Sequence, residues 1–322
     1  MKKLINVLLI GFILAGCSRP AEPVNSQMQG DQSPPVAVQA ESIVGITESD
    51  INKAKAEMKK ELGNDYLIDY LELPTPRSPA GRDVGGFIIG GNISRREFDR
   101  FKNGTIKECA EAMHRDFFEE KPDYLLKVYL FKDAETYEAY VQKTEGRKPS
   151  TPYGFYSDHR RSLVMNIGTG GGTLVHEMFH ALVKPDFPDL PSWLNEGMGS
   201  LFEQCRVETD GTLRGLINWR YPILMEAAVS QKIIPLKELL HTTDAEFYGE
   251  ERGVNYAQAR YFCLYLQEKK VLPQFYKKFR DNFEKDKSGV QFVGEVLKKQ
   301  IGEIDRDWQN WIPKVKEIKE LQ

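Results

Sequence analysis

The chain has 322 residues, 41% of them hydrophobic and 28% charged, with a formal net charge of −3 at neutral pH. That length suits one large domain or two modest ones, and the apolar share is sufficient for a packed core. A mildly acidic balance gives no reason to expect nucleic-acid binding.

The chain opens Met1-Lys2-Lys3 and then runs apolar from Leu4 to Leu14, broken only by Asn6 and Gly11. A short basic segment before a short apolar one has the form of a secretory signal. At about eleven residues the apolar run is half the ~20 that a membrane-spanning helix needs, so it reads as an export signal. Leu14-Ala15-Gly16-Cys17 resembles the bacterial lipobox. The resemblance implies cleavage after residue 16, a lipid on Cys17 and attachment to a bacterial membrane. The alternative is an ordinary signal with a cysteine near its cut. Ser18, where Asp does not stand, implies by the same resemblance the outer membrane of a Gram-negative cell. Residues 17–45, rich in Pro, Gln, Ala and Ser, read as a disordered tether. The remaining cysteines, Cys109, Cys205 and Cys263, permit at most one internal disulfide outside the cytoplasm. Three buried thiols are the alternative.

Beyond the tether, Thr47-Glu48-Ser49-Asp50 is a capping pattern for a helix running to about Leu62. Gly85–Gly91 reads as a short buried strand, Ile106–Glu119 as a charged helix, Leu125–Phe131 as a strong strand and Ala134–Gln142 as a helix. These elements predict an N-terminal α/β lobe with a small mixed sheet over residues 46–145. Tyr153–Tyr156 and Ser162–Ile167 flank the polar turn Ser157-Asp158-His159-Arg160, the pattern of a β-hairpin. The rest of 146–322 is mostly helical, with helices expected near 173–183, 192–205, 219–231, 236–241, 254–269 and 271–284 and a terminal pair after Gly289. The fold class is therefore α+β.

The chemistry is concentrated in Thr173-Leu174-Val175-His176-Glu177-Met178-Phe179-His180-Ala181-Leu182. On a helix, residues four apart lie ~6 Å apart along the axis and ~40° apart around it. Both imidazoles of His-Glu-x-x-His can then reach one metal at about 2.0–2.1 Å. Glu177 is not aimed as a ligand, but it can take the proton of an attacking water, whose pKa a zinc ion lowers toward neutrality. The alternative, a surface helix with two solvated histidines, fits poorly with so apolar a context and only five histidines in the chain.

A third ligand stands downstream. Pro191-Ser192-Trp193-Leu194-Asn195-Glu196-Gly197 begins a second helix, with Ser192 as the expected N-cap. Glu196 follows His180 by sixteen residues, across a connection containing Pro185, Pro188 and Pro191 that stops the first helix and lets the chain turn back. Antiparallel packing would face Glu196 toward the histidines. Leu194, Met198, Leu201, Phe202 and Cys205 form an apolar stripe, while Glu196, Gly199 and Ser200 leave a small face for close approach.

Thr173–Leu182 and Trp193–Glu203 together resemble the bacterial peptidase MA-like gluzincins, distant relatives of thermolysin-like and aminopeptidase-like metallopeptidases. The resemblance covers roughly 150–285 and implies a zincin-like fold, the active-site helix between the two lobes. It also implies Zn2+ held by His176, His180 and Glu196, with Glu177 as base. The chain departs from thermolysin in having Ser200 where an acidic residue follows the ligand Glu, leaving Glu203 as the candidate outer carboxylate. It lacks the Gly-x-Met-Glu-Asn motif with which aminopeptidase relatives hold a free amine.

Hydrolysis also needs a donor for the developing oxyanion. Within Asn255–Phe262, which resembles a later helix of the family, Tyr256 is the candidate, with Tyr248 and His241 behind it. The alternative role for Tyr256 is to anchor helix packing. Arg260 is expected in an ion pair or facing a substrate carboxylate, and His114 and His159 at the surface. Gly168–Thr173 lacks the Gly-Lys-Ser/Thr end of a phosphate loop and reads as a lead into the metal helix. Strand Leu163–Ile167 could offer its edge to an extended substrate. Two functions are compatible with these residues: a zinc endopeptidase acting on envelope or extracellular peptides and proteins, or a catalytically silent lipoprotein that keeps the fold as a binding module. The retained Glu177 favours the first.

Overall fold

A computed structural model describes residues 46–73 and 85–321; the segments expected as export signal and tether, with the expected lipid-bearing Cys17, lie outside the described residues. Thr47 caps helix α1, Glu48–Leu62, through its hydroxyl on the Asp50 amide, and the Asp50 carboxylate reaches back to the Thr47 amide. Two amides that a helix start leaves without partners are thereby satisfied. Strands β1, Leu67–Glu72, and β2, Gly86–Gly91, come next. Helix α2, Arg95–Asp99, runs through a π-helical stretch, Arg100–Lys107, into α3, Glu108–Asp116. The expected helix over 106–119 is therefore the end of a longer helical run.

Strand β3, Leu126–Phe131, helix α4, Ala134–Glu145, and strands β4, Gly154–Ser157, and β5, Ser162–Asn166, complete a mixed five-stranded sheet. Its order is β1-β2-β3-β5-β4. The central neighbours are parallel and both outer pairs antiparallel. Successive side chains of a strand point to opposite faces. Ile88, Tyr129, Phe131 and Val164 meet Ala54 and Met58 of α1 and Tyr137 and Val141 of α4 on one face. Phe87, Ile89, Val128, Leu130, Leu163 and Met165 point the other way, into the core shared with the helical region. Covering both faces explains why the central strands read as largely apolar runs.

From β5 the chain passes through a short turn, Ile167–Thr169, into α5, Gly172–Asp186, and then α6, Ser192–Phe202. Helix α6 stops short of residue 205 because β6, Cys205–Val207, pairs with β7, Leu213–Gly215. Helices α7 (Tyr221–Val229), α8 (Leu236–Leu240), α9 (Asp244–Phe247), α10 (Arg252–Glu268), α11 (Leu272–Asp281), α12 (Val290–Leu297) and α13 (Ile301–Trp311) complete the order. The protein is thus α+β. The expected division at 145/146 falls inside the sheet, because β4 and β5 come after it yet pair with each other and with β3. Among the described residues, no helix is long and apolar enough to cross a membrane.

Candidate metal centre

Helix α5 carries Leu174, Met178, Phe179 and Leu182 into the core, each 0–1% exposed. That orientation sends His176 and His180 to the opposite side, where their rings lie 4.7 Å apart, centroid to centroid. Prolines shape the connection from α5 to α6. Pro185 stands in the last turn of α5, the helix ends at Asp186, and Pro191 takes the N-cap position of α6. Ser192, expected as that cap, lies inside the helix, and its hydroxyl donates to Asp244 Oδ1 at 2.5 Å. Proline at the cap position leaves no side-chain acceptor for the helix amides.

Helix α6 returns antiparallel to α5. A β-carbon on Gly172, at the start of α5, would collide with the carbonyl of Glu203 just past the end of α6. A β-carbon on Gly199 would lie 3.2 Å from the His176 ring. The small face of α6 is what lets the imidazole sit against it. Leu194, Met198, Leu201 and Phe202 are fully buried, whereas Cys205 belongs to β6. Trp193 anchors α6 among Phe262, Phe275 and Phe279, and its indole donates to the Ser288 carbonyl at 3.2 Å.

The ligand atoms of His176, His180 and Glu196 all lie within 4.8 Å of one another. Glu196 Oε2 is 3.2 Å from His176 Nε2 and 3.6 Å from His180 Nε2. The outer ring nitrogens are taken up elsewhere: His180 Nδ1 faces Asn195 Oδ1 at 2.9 Å and His176 Nδ1 faces Glu203 Oε1 at 3.1 Å. In the neutral tautomer with its hydrogen on Nδ1, each ring turns a bare Nε2 toward Glu196. Glu196 Oε2 is itself buried, between the two Nε2 atoms. Three lone pairs converging in a buried space are a donor set for a cation, and the outer partners orient the imidazoles toward it.

Electrostatics bind the cluster together. Burial alone would lower the pKa of His176, but Glu196 and Glu203 outweigh it and push it up to about 10. The His180 pKa is raised against burial by Glu196. Burial opposes ionisation of Glu196, yet the two imidazoles hold its carboxyl well below the usual range. Glu203 is also lowered against burial, chiefly by Arg220, whose Nη1 donates to its Oε2 at 2.8 Å. Glu177 goes the other way: burial raises its pKa despite the neighbouring imidazoles. Its Oε2 accepts the Tyr156 amide of β4 at 2.9 Å, so the sheet edge holds the carboxylate that stands beside the ligands. An open cavity of about 730 Å³ runs along the same strand, lined by Phe155, Tyr156, Ser157 and His159.

Two phenols close the other side. Tyr248 donates to Glu196 Oε1 at 2.8 Å. Tyr256 also reaches Glu196, and its ring lies 5.3 Å from Phe247 and 6.2 Å from Tyr248. Burial raises the pKa of both, keeping them protonated. His241 is exposed and bound to its own helix at the Lys237 carbonyl, 2.7 Å away, so it does not join the cluster. His159 is exposed as expected. His114, expected at the surface, is 6% exposed and packs edge-on against Phe118. Arg260 neither pairs with a carboxylate nor faces outward. It is fully buried and donates to the carbonyls of Ser200, at 3.0 Å, and Leu216.

Several supporting residues carry no signal in the sequence. Asn195 is visible only as the neighbour of Glu196, and Arg220 only as a cation far along the chain. Asp186, at the end of α5, accepts from the amides of Glu119 and Glu120, the Tyr276 hydroxyl and Arg280. Those bonds tie the tail of α5 to two distant elements. The chain matches no model of a known protein family, and no curated protein is similar to it.

Proposed function

We propose that the protein is a zinc-dependent metallopeptidase of zincin-like fold, exported and held to a bacterial membrane, the outer one in a Gram-negative cell, by a lipid on Cys17. The observation that carries the reading is the convergence of His176, His180 and Glu196 with Glu177 beside them and outside the ligand set. Two imidazoles and one carboxylate suit zinc, whereas calcium and magnesium favour all-oxygen shells. Zinc held there supplies a Lewis acid for the scissile carbonyl and makes the proton of a water acidic near neutrality.

The protein's own groups do the rest. Glu177, fixed by the Tyr156 amide, accepts the proton of the attacking water and delivers it to the departing amine. Tyr256, protonated across the working pH range, is the candidate donor to the oxyanion. Glu203, locked by Arg220, keeps the His176 ring turned toward the ligand cluster.

The test is metal analysis with a broad peptide-library digest of wild type, Glu177→Gln and His180→Ala. The reading expects about one zinc per chain in wild type, the stoichiometry of a His₂Glu site. It expects zinc retained and cleavage reduced by about 10²–10⁴-fold in Glu177→Gln, and both lost in His180→Ala. Zinc without any cleavage would turn the reading to a silent binding module, and wild type free of zinc would end it. Membrane attachment is tested by fractionating cells that carry wild type or Cys17→Ser, the latter expected in the soluble export fraction.

A further inference from the structure

Cys109 sits on α3 and is 6% exposed, while Cys205 opens β6 and is half-buried. They are 96 positions apart in number, yet the two thiols share a hydrogen bond, Cys205 donating and Cys109 accepting. A second contact holds the same two elements together, because Arg115 Nη2 of α3 donates to the Gly211 carbonyl in the β6–β7 turn at 2.6 Å. The third cysteine, Cys263, is fully buried in α10 against the backbone of α6, where a β-carbon on Gly197 would touch its sulfur at 2.9 Å. It is out of the pair's reach and closed to solvent.

We infer that Cys109 and Cys205 are an oxidisable pair, joined as a disulfide when the protein meets a small-molecule disulfide or a dithiol–disulfide oxidoreductase. The thiolate of one cysteine attacks the external disulfide, forming a mixed disulfide and releasing one thiol. The thiolate of the other then attacks the protein sulfur of that mixed disulfide, forming the internal bond and expelling the second thiol. Two protein thiols are oxidised and one external disulfide is reduced to two thiols.

The bond would close a loop of about a hundred residues, a length for which cross-linking restricts the unfolded chain strongly. That loop contains α5 and α6, and with them His176, His180 and Glu196. The pairing depends on the packing of α3 against β6 and is independent of any peptidase activity.

The full-length protein in detergent is equilibrated with oxidised or reduced glutathione, then alkylated under denaturing conditions and mapped as non-reduced peptides. The expected result after oxidation is one cross-linked peptide pair, Cys109 with Cys205, and alkylation at Cys263. Thermal unfolding should shift down by about 5–10 °C on reduction, and this shift should vanish in both Cys109→Ser and Cys205→Ser but persist in Cys263→Ser. Recovery of Cys109 and Cys205 both alkylated after oxidation, or of a bond involving Cys263, overturns the inference. The peptide map needs no variant, so a substitution that fails to fold leaves the result intact.

Discussion

Asn195 Oδ1 lies 2.9 Å from His180 Nδ1, so the residue just before Glu196 orients an imidazole on the neighbouring helix. One turn of α6 thereby supplies both a member of the candidate triad, Glu196, and the partner that fixes the ring of another, His180.

Asn195→Ala should keep the fold and lower metal affinity by about 10–100-fold, the usual cost of losing an outer partner of a ligating histidine. Competition with a chromophoric chelator measures it. Unchanged affinity would mean that the hydrogen bond plays no part in holding the ring.

Gly199→Ala tests how closely the helices must approach. The added methyl lies 3.2 Å from the His176 ring, inside normal contact, so either the imidazole or α6 must shift. Metal affinity should fall at least about tenfold, as for other losses of ligand orientation. Chelator competition, with far-ultraviolet circular dichroism as a control for folding, reads the outcome.

The two tyrosines should separate in kinetics. Tyr248 donates directly to Glu196 Oε1, so Tyr248→Phe should weaken metal binding along with turnover. Under the proposed mechanism, Tyr256→Phe should retain metal and lose kcat by about 10²–10³-fold, the range for removing one oxyanion donor. Equal metal loss in both variants would make Tyr256 another support for Glu196.

His114 gives a pH dependence remote from the metal cluster. Burial, with a contribution from Lys121, lowers its pKa to about 4, and neither ring nitrogen has a hydrogen-bond partner. Above an unfolded value of about 6.5, histidine is neutral in both states and no penalty arises. As pH falls through 6.5, the unfolded chain takes up a proton that the folded one refuses, so stability drops until about pH 4. The full loss is on the order of 3 kcal/mol. Denaturant titrations of wild type and His114→Leu between pH 4 and 8 should diverge steadily toward acid, with the variant the more stable. Parallel curves would mean that His114 protonates freely in the folded protein.

The cluster is legible in sequence where its geometry is local. His176, Glu177 and His180 obey helical spacing, and Glu196 stands beyond a proline-rich connection that can only turn back. Glu203 is legible as a carboxylate further along the same helix face. Asn195, Arg220 and Asp186 act on partners far away in sequence or on another helix, and no period announces them. The sheet divides in the same way. β2 and β5, buried throughout, and β3, buried but for Lys127, stand out as largely apolar runs, whereas β1 mixes Asp69, Tyr70 and Glu72 into a half-buried edge. Three-residue β6 and β7 are too short to carry any alternation, so in sequence the first looks like the end of α6. His114 departs from its expected surface position because a polar residue near charged neighbours looks solvated until the packing around it is known.

The sheet's crossing of residue 145 sets a rule for dissecting the protein. β5 feeds through Ile167–Thr169 into α5, so the strand that aims the metal helix depends on β3 for its inner hydrogen bonds. A fragment beginning at residue 146 would expose a raw edge along Ser162–Asn166, a ready template for pairing with other chains. It would also strip Phe87, Ile89, Val128 and Leu130 from beneath the helices. Such a fragment would precipitate rather than serve as a minimal metal-binding unit. The smallest piece worth cutting out begins at Thr47.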